Sequence, residues 1–375
     1  MDFSYSEEQR MLADSLRRFV DHEYTFAHRR KSARNGIGFD RDVWSNLASM
    51  GVAGLTIEAQ YDGFDQGVES YLVVNRELGR GLVHEPVIPV TVAAAILSLY
   101  GTQEQKAEWL PGIACGDSIV VPAYSESDSR YELDSVATVA LPAEEGYVIH
   151  GEKTVVWHAQ VADAYIVSAR LGSENGDIRL FLVPRESQGL DLVVYPTIDD
   201  QRAADVTFNN VRVSADALIN TQGAGDEALR VCINHGLIAL CAQALGAMER
   251  LIEITTDYLR VRQQFGKPLA AFQALQHRVA DMLIQKELAG SAIYIGIQGL
   301  SEPDASKRER MIATAKLAMI EAARFVGQQA VQLHGGIGMT DELEVSDYFR
   351  FLTMCDPIFG DHDYHAQAYA DAMEE

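Results

Sequence analysis

YLRVRQQFGKPLAAFQALQHRVADM, Tyr258–Met282, carries the reading of the fold. Its first part ends a helix. Arg260 and Arg262 suit a helix C-terminus, where a cation meets the negative end of the dipole, and Pro268 stops the helix. Its last part, Phe272–Met282, has apolar residues at helical spacing. A short turn therefore joins two helical stretches. Moving outward, Gly236–Gln264, Ala271–Leu300 and Arg308–Gly336 each keep that spacing along their length. Long helices joined by short turns predict an antiparallel bundle. Their apolar faces are wide, which predicts burial against other subunits.

Upstream the texture changes. From about Ser118 to Asn220, short β-branched and aromatic runs alternate with turn signals: VATVAL, YVIHG, EKTVVW, AYIVSARL, IRLFLV, LVVYP and ADVTFNNVRV. These predict a compact all-β domain. Before it, helical patterns return. Ser6 and Gln9 have the spacing of a capping box, with Leu12, Leu16, Phe19 and Val20 as the apolar face opposite Asp14, Arg17 and Arg18. Further helices are expected from about Glu69 to Leu82, from near Pro89, and within GTQEQKAEWLPGIACGD (Gly101–Asp117). The expected fold is α+β with three segments: a helical domain over 1–117, a β domain over 118–222 and a helical bundle over 223–375.

Composition narrows the function. The chain has 375 residues, enough for two or three domains, and a formal net charge of -23. So acidic a chain suits neither sequence-independent nucleic-acid binding nor an anionic membrane surface. Cys115, Cys232, Cys241 and Cys355 have no C-x-x-C spacing, so buried free thiols and a reducing compartment are expected. The N-terminus shows no signal-peptide pattern and no long apolar run stands out, so a cytoplasmic location is expected. There is no G-x-G-x-x-G after a strand, no P-loop and no G-x-S-x-G elbow. Asp361, His362, Asp363 and His365 cluster, but without a distant further ligand they do not make a metal site. HGGIG (His334–Gly338) reads as a helix-ending turn, or as glycines that admit a ligand phosphate close to the backbone.

Three separated segments change the picture. Gly101–Asp117, Tyr258–Met282 and AVQLHGGIGMTDELEVSDYFR (Ala330–Arg350) together resemble the acyl-CoA dehydrogenase family, in order and along nearly the whole chain. The resemblance implies a helical N-domain, a β-barrel-like middle domain and a C-terminal four-helix bundle. It implies FAD, a tetramer and oxidation of an acyl-CoA thioester to the 2,3-enoyl-CoA. In the family a carboxylate takes the α-proton, the β-hydrogen leaves as hydride to the flavin, and an electron-transfer flavoprotein receives the electrons. Each FAD spans two chains, its ADP half held by the neighbour's bundle. Residues matching that grip are present: Arg262, Phe265, Gln273, Gln332, Gly335 and Gly336.

The flavin side departs from the family. Its Thr-Glu-Pro-x-x-Gly-Ser-Asp stretch becomes Ser125–Glu132, with Arg130 and Tyr131 where small residues are usual, and its Trp-x-Thr becomes Val155-Val156-Trp157. Ser125 and Trp157 are the residues left to face a flavin. The usual Glu base falls on Phe359, before Gly360. The alternative base position falls on Gly236, followed by Leu237. Asp361 is the nearest carboxylate. Such a chain resembles the small subunits of bacterial heteromeric acyl-CoA dehydrogenases of fatty-acid or steroid breakdown, which imply a Glu-bearing partner. The other reading is a self-sufficient homotetramer using Asp361, or a histidine such as His158 or His235, as base.

Overall fold

The computed structural model describes residues 5–219 and 224–374; the expected boundary between 222 and 223 lies outside them. The first helices are α1 (Glu7–His22), α2 (Phe26–Arg34), α3 (Arg41–Ser49), α4 (Ser70–Gly81), α5 (Val87–Tyr100) and α6 (Gln103–Cys115). Eight strands follow: β1 (Val120–Ala123), β2 (Val139–Ala143), β3 (Gly146–Trp157), β4 (Ala164–Leu171), β5 (Ile178–Pro184), β6 (Leu190–Pro196), β7 (Arg202–Val213) and β8 (Leu218–Ile219). The chain ends in α7 (Gly225–Val261), α8 (Gln273–Gly299), α9 (Ala305–His334), α10 (Val345–Met354) and α11 (His362–Glu374). Helical, then sheet, then helical is the expected order.

Packing divides the chain into two compact units. One comprises the chain up to Arg30, Val68–Val83 and Leu237 onward; the other comprises Lys31–Gly67 and His84–Gly236. The first unit is helical. The capping box at Ser6 and Gln9 is present, and Leu16, Phe19 and Val20 are buried as expected. α4 and α7 cross at glycines. A Cβ on Gly246 would collide with the Arg76 carbonyl oxygen, and one on Gly79 with that of Gln243. Beside the crossing, Arg76 pairs with Glu249 at 2.7 Å and Arg80 with Glu253 at 2.9 Å. Gly246→Ala is therefore expected to cost about 1–3 kcal/mol by overpacking, read as a lower urea midpoint at unchanged slope.

α7 holds an 18-residue window apolar enough, by length and composition, to cross a membrane, yet 89% of that window is buried in the protein. Cys241 on α7 and Cys355 after α10 are buried free thiols.

The second unit is built on an eight-stranded sheet in the order β6-β7-β3-β2-β4-β5-β8, with β1 also paired to β4. β4 takes β1 and β2 in parallel and β5 antiparallel. YVIHG and EKTVVW, separate runs in the sequence, form the single strand β3. Its register against β7 shifts between Ile149 and Gly151 and again between Lys153 and Val156, and such bulges let one strand read as two alternating runs. α6 starts at a capping box of Thr102 and Gln105, and the Gln105 amide also donates to Asp216 O at 2.6 Å, fixing the helix to the loop before β8. Cys232 is buried as expected, but Cys115 is exposed at the end of α6.

Candidate functional site

The residues read as an ADP grip lie on the first unit. α7 ends at Val261, so Arg262 opens a turn whose Gln263–Gln264 and Lys267–Pro268 pair as a two-residue hairpin. At its tip Phe265 is left-handed at φ 53° and 89% exposed. Its ring meets Phe272 edge-on at 6.1 Å, beside Gln273, the first residue of α8. The end of α9 comes to the same place. Tyr258, one turn before Arg262, stacks on His334 at 4.4 Å, and its hydroxyl donates to His334 O at 3.3 Å. Gly335 follows at φ 65°, and nothing lies within 4 Å of where a Cβ on Gly335 or Gly336 would stand.

The chemistry of this set is that of an anion and amide-rich ligand site. Arg262, Gln273 and Gln332 are exposed, and among the described residues their side chains have no hydrogen-bond or ionic partner. A free guanidinium suits phosphate oxygens through its fork, and two bare glycines admit a ligand against the backbone. An ADP moiety fits these residues.

Ser125 and Trp157 lie on the second unit. Both are half-buried, and Ser125 O accepts from Thr154 N at 2.8 Å, so the segment lies along β3. The next residue, Glu126, anchors the following loop. Its carboxylate accepts from Ala137 N at 2.7 Å, Thr138 N at 3.1 Å and Lys153 Nζ at 2.6 Å. Burial draws the pKa of the fully enclosed Lys153 down to about 8, against the raising effect of the Glu126 carboxylate. Burial alone would raise Glu126; the lysine charge and the hydrogen bonds outweigh it and hold the carboxyl below its ordinary range. The signal in the sequence was a lysine at an inward position of EKTVVW, since a strand that buries a lysine must also bury its partner. Within the loop Arg130 is left-handed at φ 47°, its guanidinium 5.4 Å from the Tyr131 ring. Val155, in the Trp-x-Thr stretch, is exposed and left-handed at φ 53°.

The alternative bases are one carboxylate at a helix start and two histidines that burial keeps neutral. Asp361 Oδ1 accepts from Tyr364 N at 2.9 Å, and Asp361 O from His365 N at 3.1 Å; it is the N-cap of α11. His158 is buried at the end of β3. Gln201 donates to Asp199 Oδ2 at 2.8 Å, which turns its Oε1 toward His158, 3.1 Å from Nε2. His158 thus donates from Nε2, and burial pushes its pKa down to about 4. Burial also pushes the pKa of His235 down to about 4. Phe359 stands in the turn before α11 at φ 59°, followed by Gly360 at φ 103°. Among the described residues no cluster of His, Cys, Asp or Glu could hold a metal.

Comparison with known proteins identifies the family. Residues 6–117 match the acyl-CoA dehydrogenase N-terminal domain, 122–211 the middle domain and 223–373 the C-terminal domain. The (2S)-methylsuccinyl-CoA dehydrogenase of Cereibacter sphaeroides is 29% identical over 91% of this chain, which spans only 65% of that relative's length. Among solved structures, the ChsE4-ChsE5 complex from Mycobacterium tuberculosis superposes with a TM-score of 0.88 at 25% identity, covering 100% of this chain and 99% of that one. An FAD-dependent dehydrogenase superposes with a TM-score of 0.88 at 25% identity over 100% of both chains. With three family domains matched in order along almost its whole length, the chain belongs to the acyl-CoA dehydrogenase family.

Proposed function

We propose that this chain is a subunit of an FAD-dependent acyl-CoA dehydrogenase, an oxidoreductase acting on a CH–CH bond of an acyl-CoA thioester. It supplies the ADP-gripping half of a partner's FAD site and does not supply the base. When bound, FAD accepts the hydrogen that leaves the β-carbon. Arg262 neutralises the pyrophosphate, Gln332 and Gln273 hydrogen-bond the rest of the ADP half, and Phe265 and the two glycines shape its edge. The partner subunit carries the glutamate that takes the α-proton, and an electron-transfer flavoprotein takes the electrons onward. In this division of labour, segments 1–117 and 118–222 keep the fold of a substrate-binding half and segment 223–375 does the gripping. The assembly is a cytoplasmic heterotetramer.

One observation carries this reading. Counting from Arg350 assigns the family's base position to Phe359, and the nearest carboxylate along the sequence, Asp361, caps α11. A base must lie within hydrogen-bond reach of the proton it takes, and a displacement of about 1 Å can cost 10²-fold. A shorter side chain two positions on, already bonded to Tyr364 N, does not make up that displacement.

The visible absorption spectrum tests the proposal. Purified alone, the chain is expected to be colourless; co-expressed with a glutamate-bearing relative, it is expected in a yellow complex with one FAD per pair of unlike chains. Asp361→Asn keeps a side-chain acceptor for the cap and is expected to leave turnover of that complex unchanged. A yellow protein with near one FAD per chain when expressed alone, whose turnover Asp361→Asn abolishes, would mean a self-sufficient enzyme instead.

A further inference from the structure

Two successive residues in the turn between α10 and α11 are left-handed, Phe359 and Gly360. For Gly360 the cause is space: a Cβ there would lie 2.5 Å from Tyr364 Cδ1 and 2.7 Å from His365 Nε2. Phe359 is a bulky L-residue, for which positive φ costs of order 1–3 kcal/mol and persists only where the surroundings over-determine it.

The surroundings supply that constraint from two sides. Lys316, fully buried on α9, donates from Nζ to Cys355 O and to Ile358 O, each at 2.6 Å. His365, buried on α11, donates from Nε2 to Phe359 O at 2.9 Å. The rest of the turn is fixed as well: Asp356 accepts from His362 N at 3.1 Å and from Arg324 at 2.9 Å. Enclosing an ammonium against neutral carbonyls is costly, and burial accordingly pulls Lys316 below its ordinary pKa. A turn that only joins two helices needs neither the buried lysine nor the strained phenylalanine.

We propose that Lys316 and His365 are positioning residues that lock the backbone of residue 359, so that whatever side chain stands there is presented in one orientation. The proposal rests on the reading above, which identifies 359 as the base position, and deepens it. On that reading the mount here holds a phenyl ring at the place of the family's carboxylate.

Fluorine NMR of the full chain, with 4-fluorophenylalanine placed at 359, tests the lock. One narrow resonance is expected. Lys316→Met and His365→Ala are each expected to split or broaden it at temperatures where circular dichroism still reports a folded chain. His365→Gln keeps an amide donor for Phe359 O and is expected to restore the single line. A second label at Phe208, buried in β7, is expected not to respond. If the 359 resonance keeps its shift and width in both variants while only the melting temperature falls, the two residues are merely structural and the proposal fails. If Lys316→Met does not fold, the His365→Ala and His365→Gln pair decides alone. The readout needs neither flavin nor partner. A failure here is therefore distinct from failure of the partner-subunit reading, which the absorption spectrum decides.

Discussion

Asp347→Ala is expected to destabilise the protein by about 3–5 kcal/mol, the usual result of removing one member of a buried ionic cluster. Asp347 is shared by three arginines: Arg29 at 2.5 Å, Arg30 at 2.9 Å and Arg350 at 2.8 Å. Arg29 is as buried as the aspartate, and its other hydrogen bond goes to Gly81 O at 3.3 Å. Arg30 also donates to Asp341 O at 2.7 Å, so the cluster fastens α2 to the segment around α10. Alanine takes the buried counter-charge from the enclosed Arg29 and one ion pair from each of Arg30 and Arg350, and Arg30 keeps Asp341 at 3.4 Å. Asp347→Asn keeps the shape and one acceptor, and is expected to lose less. The pH dependence follows from the same contacts. Burial opposes ionisation of Asp347, but the Arg30 hydrogen bond and the Arg29 and Arg350 contacts outweigh it and hold its pKa below the ordinary value. A depressed carboxyl pKa contributes stability that is complete above the unfolded value of about 3.9 and is lost as pH falls through the folded value. Urea unfolding of wild type and Asp347→Asn should therefore converge as pH drops below about 4. If the difference stays constant across that window, the charge of Asp347 contributes nothing.

That cluster also shows where sequence reading runs out. Helices with strong spacing and capping were legible: α1 from Ser6 and Gln9, α6 from its amphipathic run, and α7 to α9 from three long apolar repeats. These signals are local, since a cap or a repeat needs only neighbours three or four residues away. Arg29 and Asp347 are 318 residues apart, and nothing local in either helix announces the other. Glu126 and Lys153 are 27 apart and equally silent, although an inward lysine in a strand is a usable warning. The site divides in the same way. Phe359 is assigned to the base position only by counting from Arg350, a register read along the sequence. The fate of Asp361 was not readable. Whether an aspartate before a helix caps it depends on whether the next turn's amide points at it, and here Tyr364 N does.

Arg262→Ala should strip FAD from the complex while leaving this chain's own fold untouched. The two halves of that expectation come from one fact: the guanidinium is exposed and, among the described residues, bonds to nothing. Its loss removes no intramolecular contact, so the melting temperature of the chain alone is expected to stay where it is. Its proposed partner is a pyrophosphate belonging to a cofactor seated on another subunit. Charge-assisted hydrogen bonds are worth about 1.5–3 kcal/mol, and every 1.4 kcal/mol is tenfold in affinity. FAD should therefore bind roughly 10- to 100-fold more weakly, read by equilibrium dialysis of the co-expressed complex. Arg262→Lys separates charge from geometry. A lysine keeps the charge but not the planar fork, so it should recover part of the affinity and show a steeper loss with added salt. Phe265→Ala tests the neighbouring contact without touching charge, and its effect on FAD should not depend on salt. If FAD content is the same in Arg262→Ala as in wild type, the bundle does not grip the cofactor, and the chain acts in the complex as a scaffold instead.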